Sequence, residues 1–150
     1  MAGRIIDRIA LACVLVALIA CAQTSTKSDT EKIDLTKIYA LATQAYAEKN
    51  WPESEQHYAT LTRKSPGEAE PWFKLGNIYA RTFRPELAVK FYREALVRDP
   101  ENVKAWHNLG IIELRQAANT FATLQDLLEP GDVLYEKSVT IQTSINALVN

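Results

Sequence analysis

Hydrophobic and polar positions divide the chain into three unequal stretches. Ile9 to Ala20 is an apolar run, and Gln23 to Ile33 is rich in Thr, Ser, Lys and Asp. From residue 35 onward apolar residues return at helical spacing, in blocks closed by proline. One block reads Trp72, Leu75, Gly76, Tyr79, then Ala88, Tyr92, Ala95, then Pro100. The spacing predicts two helices joined by a short turn. Going forward by 34 residues, Trp72 maps to Trp106, Leu75 to Leu109 and Gly76 to Gly110. Going back by 34, Leu75 maps to Leu41, Gly76 to Ala42, Tyr92 to Tyr58 and Pro100 to Pro66. Pro52 and Pro85 lie just inside the starts of second helices, where a missing N–H costs little.

The pattern weakens after Arg115. The positions expected to hold Ala, an aromatic and Ala are Ala122, Asp126 and Glu129, and Pro130-Gly131 interrupts the chain. Two accounts are open. The second helix of this block is a shifted segment 120–128, or 118–131 is an insertion and the second helix is 132–149. Either way 132–149 is helical, because Leu134, Ser138, Ile141, Ile145 and Leu148 recur on one face.

The middle block fills every signature position of the tetratricopeptide repeat, and the chain resembles that family over about two thirds of its length. The resemblance implies an all-α solenoid of about three helix-turn-helix repeats, 35–68, 69–102 and a degenerate 103–136. A capping helix follows and ends in 137–150. It implies that Gly76 and Gly110 sit where paired helices press together, with Ala88 and Ala95 small for the same reason. It also implies a concave groove for a protein or peptide segment, lined by the first helix of each repeat. Aligned on the motif, the groove residues are Tyr39 and Tyr46, then Phe73, Asn77 and Arg81, then Lys104, His107, Asn108 and Arg115. Asn77 and Asn108 stand where family members often hold a peptide backbone, since an amide donates and accepts at once. Asparagine also fills such positions in idealised repeats with no ligand. The family's carboxylate clamp needs a lysine where Phe73 stands, which argues against capture of a free C-terminus.

The N-terminal stretch reads as an address. Arg4 and Arg8 precede an apolar run too short for a comfortable bilayer span, which ends in Leu18-Ile19-Ala20-Cys21. This resembles the lipobox of bacterial lipoproteins. Residues 1–20 are then a signal peptide, Cys21 is the lipidated residue and 21–34 is a flexible tether. Ala22 is not the Asp that retains many such lipoproteins at the inner membrane, so the resemblance implies the outer membrane, facing the periplasm. The alternative is a retained helix over 5–20 that anchors a structural subunit in the inner membrane.

Composition narrows the function. The net charge is −1, and removing Arg4, Arg8 and Asp7 leaves −2. That disfavours nucleic acid, which selects a basic face. His57 and His107 lie in different repeats, the only cysteines are Cys13 and Cys21, and neither a phosphate loop nor metal-ligand spacing occurs. The expectation is no enzyme, no metal, no cofactor and no small-molecule substrate. The expected role is a lipid-anchored adaptor that assembles or localises an envelope complex. The build resembles the pilotins of type IV pilus and tight-adherence systems, and also small repeat lipoproteins that scaffold cell-wall enzymes.

Overall fold

The computed structural model describes residues 34–149; the expected signal peptide, Cys21 and nearly all of the tether lie outside them. Six helices make up the described residues: α1 (34–47), α2 (Trp51–Lys64), α3 (Ala69–Arg81), α4 (Pro85–Arg98), α5 (Val103–Gln125) and α6 (Val133–Val149). They form three successive antiparallel pairs. Prolines stand in the first turns of α2 and α4, where no intrahelical N–H is needed. Lys64, Arg81 and Arg98 close their helices, where a cation complements the C-terminal partial charge. Asn102 caps α5 by accepting the Ala105 N–H at 3.0 Å.

The first two pairs share one packing scheme. A small residue on each first helix, Ala42 or Gly76, faces a tyrosine on the second, Tyr58 or Tyr92. Both tyrosines are essentially fully buried, a contribution of roughly 1.5–3 kcal/mol each. Small Ser54 and Ala88 let each helix pair approach closely. Ser54 keeps its hydroxyl satisfied by donating to the Ala42 carbonyl at 3.1 Å. A Cβ built on Gly76 would lie 2.5 Å from Cδ1 of Tyr92, so only glycine fits without displacing the ring.

Two tryptophans tie successive pairs together. Trp72 Nε1 donates to the Pro66 carbonyl at 3.2 Å, and Trp106 Nε1 donates to the Pro100 carbonyl at 2.9 Å. Between the first and second pairs, Glu55 accepts two bonds from Arg84, at 2.6 and 3.3 Å, and one from the Tyr79 hydroxyl at 2.9 Å.

The third pair departs from the scheme. Helix α5 continues unbroken to Gln125, so 120–125 extends the first helix and is not a second one. No proline or glycine interrupts 111–129, which leaves nothing to stop α5 where α3 stops. The second helix of the pair is α6, antiparallel to α5. Gln125 Nε2 donates to Gln142 Oε1 at 3.0 Å, and Arg115 Nη2 donates to the Val149 carbonyl at 3.1 Å.

Two sequence expectations are corrected here. Gly110 is not at a tight crossing: a Cβ there would meet nothing within 4 Å. The ring that crowds Gly76 is Tyr92, and the corresponding position in the third repeat is Asp126, in the turn after α5. The apolar stripe of α6 is also split. Ser138 and Ile145 are buried, whereas Leu134, Ile141 and Leu148 are exposed. The face that packs on α5 is centred instead on Tyr135, Ser138, Val139, Gln142 and Ile145. Leu134, Ile141 and Leu148 follow one another at seven-residue steps along one line of the helix, and α5 packs on the side of that line where Ser138 and Ile145 lie.

Candidate functional site: a groove between the second and third repeats

A hollow of about 580 Å³ lies between α3, α4 and α5. Helix α3 contributes Asn77 and Arg81, and α5 contributes His107, Asn108 and Arg115. These are five of the nine groove residues expected from sequence. The other four lie elsewhere. Phe73 is buried, its ring centroid 6.0 Å from that of Tyr92, so it belongs to the core and not to the groove. Tyr46 is half-buried, packed edge-on against Trp51 and covered by the Lys74 ammonium at 4.8 Å. Tyr39 faces a separate apolar hollow beside Leu35, Leu61 and Pro71. Lys104 is exposed in the first turn of α5, away from the lining.

At the floor of the groove three side chains form one network. The Tyr92 hydroxyl donates to Asn77 Oδ1 at 2.9 Å, and Asn108 Nδ2 donates to the same oxygen at 2.9 Å. The preceding pair holds a weaker counterpart, Thr43 Oγ1 to the Tyr58 hydroxyl at 3.4 Å. Burial pushes the Tyr92 phenol up to about 12, with the Asn108 amide and Arg81 acting in the opposite direction. Tyr92 therefore stays neutral and keeps donating throughout the physiological range.

The network fixes what the amides can offer. Asn77 Oδ1 is saturated by two donors, so Asn77 presents its NH₂ group. Asn108 spends its amide N–H on the network and presents Oδ1. No side-chain N or O among the described residues is both buried and unpartnered. The unused amide atoms therefore reach the groove. One donor beside one acceptor is what an extended backbone needs.

Sequence reasoning missed Lys49, Trp51 and Phe83 in this lining. Lys49 and Phe83 occupy the turns after α1 and α3, one repeat apart, with φ of 59° and 57°. The 34-residue period could have found them, because it aligns the two turns. No glycine marks either one.

Residues 39–103 match the tetratricopeptide repeat family model. The chain carries tetratricopeptide-type helix pairs over that stretch. It is also similar to the general transcriptional corepressor ssn6 of Schizosaccharomyces pombe, 29% identical over 84 residues, which is 55% of this chain. The chain spans only 8% of the length of that relative. Tetratricopeptide repeats are scaffolds that present binding surfaces. Among the described residues no group of His, Cys, Asp and Glu could hold a metal ion. No helix among them is long and apolar enough to cross a membrane.

Proposed function

We propose that this protein is a lipid-anchored periplasmic adaptor that holds an extended segment of a partner in the groove between its second and third repeats. In doing so it assists assembly or localisation of an envelope complex, with pilus or secretin biogenesis as the specific setting. The observation that carries the binding reading is the Tyr92–Asn77–Asn108 network. It orients one amide donor and one amide acceptor into an open hollow on a repeat scaffold. The anchoring reading rests on Leu18-Ile19-Ala20-Cys21 after a short apolar run. The match to the corepressor covers a small part of that protein, so it supports the repeat and carries no role in transcription to this chain.

Site-directed photo-crosslinking in cells tests the groove. A crosslinker at His107 should capture one envelope protein, and the same group at exposed Lys90 should not. Asn77→Ala combined with Asn108→Ala should abolish the His107 adduct and leave helical content intact. An adduct indifferent to that double change would remove the groove as the binding site. For the anchor, Cys21→Ser should abolish acyl labelling and release the protein from membranes. A serine variant that stays membrane-bound in high salt would favour the retained helix over 5–20.

A further inference from the structure

The charge around the groove is one-sided. Lys49, Arg81 and Arg115 line it, and no carboxylate does. Elsewhere in the described residues Lys64, Lys74, Arg84, Arg93 and Arg98 each pair with an acidic side chain, and the cations without such a pair there, Lys37, Arg63, Lys90, Lys104 and Lys137, line no part of this hollow. The three groove cations have no such pairing among the described residues. Arg81 rests over the Trp51 ring at 5.7 Å, and Arg115 donates to a backbone carbonyl. Neither contact neutralises charge. A chain of net charge −1 thus gathers three uncompensated cations at one hollow. All three are exposed, so water screens their mutual repulsion, and the positive field that remains favours an anion in the hollow.

A second observation concerns the rim. The Asn50 N–H bonds back to the Ala45 carbonyl at 2.9 Å, and the Arg84 N–H to the Tyr79 carbonyl at 2.9 Å. This six-to-one closure places the preceding residue in the left-handed region, where glycine is the usual occupant. Lys49 and Phe83 hold those positions instead, although the Cβ of an L residue is crowded there. Phe83 is also 93% exposed, so its ring gives the fold almost nothing. Both side chains line the same groove. Phe83 further borders an adjoining hollow of about 340 Å³, with Ala80, Pro85 and Ile112. Backbone strain kept at two equivalent turns, at residues the fold does not need, points to contact with a partner.

We propose that the groove selects an acidic segment bearing an apolar side chain. The carboxylates face Lys49, Arg81 and Arg115, and the apolar side chain enters the smaller hollow against Phe83. This rests on the groove reading and specifies its partner. The charge complementarity chooses the occupant, and Phe83 sets where its apolar residue lies.

The test uses fluorescence anisotropy with the full chain in detergent and a short labelled peptide rich in Glu with a single Leu. Three analogues replace Glu by Gln, Glu by Lys, or Leu by Ser. The Glu peptide should bind about tenfold tighter than its Gln analogue, with the gap closing as salt rises. Arg81→Gln with Arg115→Gln should erase the gap. Phe83→Gly should raise the melting temperature, yet weaken the Leu peptide severalfold and leave the Ser analogue unchanged. Equal binding of the Glu and Gln peptides, still abolished by Asn77→Ala with Asn108→Ala, overturns this proposal and leaves the groove reading standing. Preference for the Lys analogue overturns it too, and no binding of any peptide overturns both. A Phe83→Gly variant that is more stable and binds the Leu peptide unchanged removes Phe83 from the site. A peptide copying residues 27–34 that binds as well as the Glu peptide would make the chain's own tether the occupant, against the proposal.

Discussion

The second and third repeats begin with the same residues and end differently. Trp72 and Trp106 each bond to a proline carbonyl six residues back. Beyond that their surroundings diverge. Trp72 is stacked on Phe91 at 5.8 Å and covered by the Arg98 guanidinium at 3.9 Å. Trp106 is 56% exposed, because the residue at the position of Phe91 is Gln125, at the far end of an extended α5. Gly76 is pressed by Tyr92, while Gly110 faces open space. A repeat signature therefore has two separable halves. The first-helix residues fix the hinge to the preceding repeat, and the second-helix residues decide whether the pair closes tightly. The third repeat keeps the hinge and loses the closure, and the groove opens at that boundary.

The largest effect that can break this comparison is at the tryptophans. Trp72→Ala should cost about 3 kcal/mol, at the lower end for large aromatics because the ring is only half-buried. Trp106→Ala should cost about 1 kcal/mol, chiefly its hydrogen bond to Pro100. Denaturant titration of both variants measures the difference. Equal losses would mean that the third repeat closes as tightly as the second.

The glycines give a test of sign. Gly76→Ala puts a methyl group into the Tyr92 ring and should destabilise by about 1–3 kcal/mol. Gly110→Ala puts the same group into empty space within a helix and should stabilise by about 0.5–1 kcal/mol. Opposite shifts in melting temperature are expected. A loss of stability at Gly110 would place an unseen neighbour there.

How much of this was legible in the sequence follows the same division. The first two repeats were readable because their cues are local: prolines at helix starts and ends, and aromatic and small residues at a fixed period. The extension of α5 was not. Helix continuation there depends on the absence of a breaker before Pro130, while the period argued for a turn near residue 116. Phe73 was assigned to the groove because its position faces outward in the pattern. Its depth depends on the ring of Tyr92, on another helix. The link from Asn77 to Asn108 spans 31 residues and breaks the period, since the exact equivalent of Asn77 is Ile111. Lys49 and Phe83 were missed because left-handed turns are read from glycine, and neither turn contains one.

A smaller effect sharpens the comparison at the other end of the second repeat. Glu55 joins α2 to Arg84 and Tyr79, and the third repeat has no equivalent three-way clasp among its described residues. Glu55→Ala should cost about 1 kcal/mol, limited by the partial exposure of the pair. High salt should shrink the difference from the parent, as it does for any exposed ion pair. A cost that grows with salt would show that packing, not charge, holds the two repeats together.

The tyrosines separate the repeats by titration. Burial raises Tyr39, Tyr79 and Tyr92 to about 12 from the ordinary 10.0, and raises Tyr58 in the same direction. All four lie in the first two repeats. A phenol whose folded value is raised holds its proton more tightly when folded. The unfolded chain begins to ionise near 10.0, while the folded chain resists until about 12. Stability is therefore unaffected below 10.0 and falls as pH rises from there through about 12. Tyr92→Phe removes one of these groups together with its bond to Asn77, at a cost of about 1 kcal/mol at neutral pH. The variant should then lose less stability than the parent on going alkaline, so the two melting curves converge. Parallel decline would mean that Tyr92 ionises as freely in the folded protein as in the unfolded one, and that the groove floor is open to water.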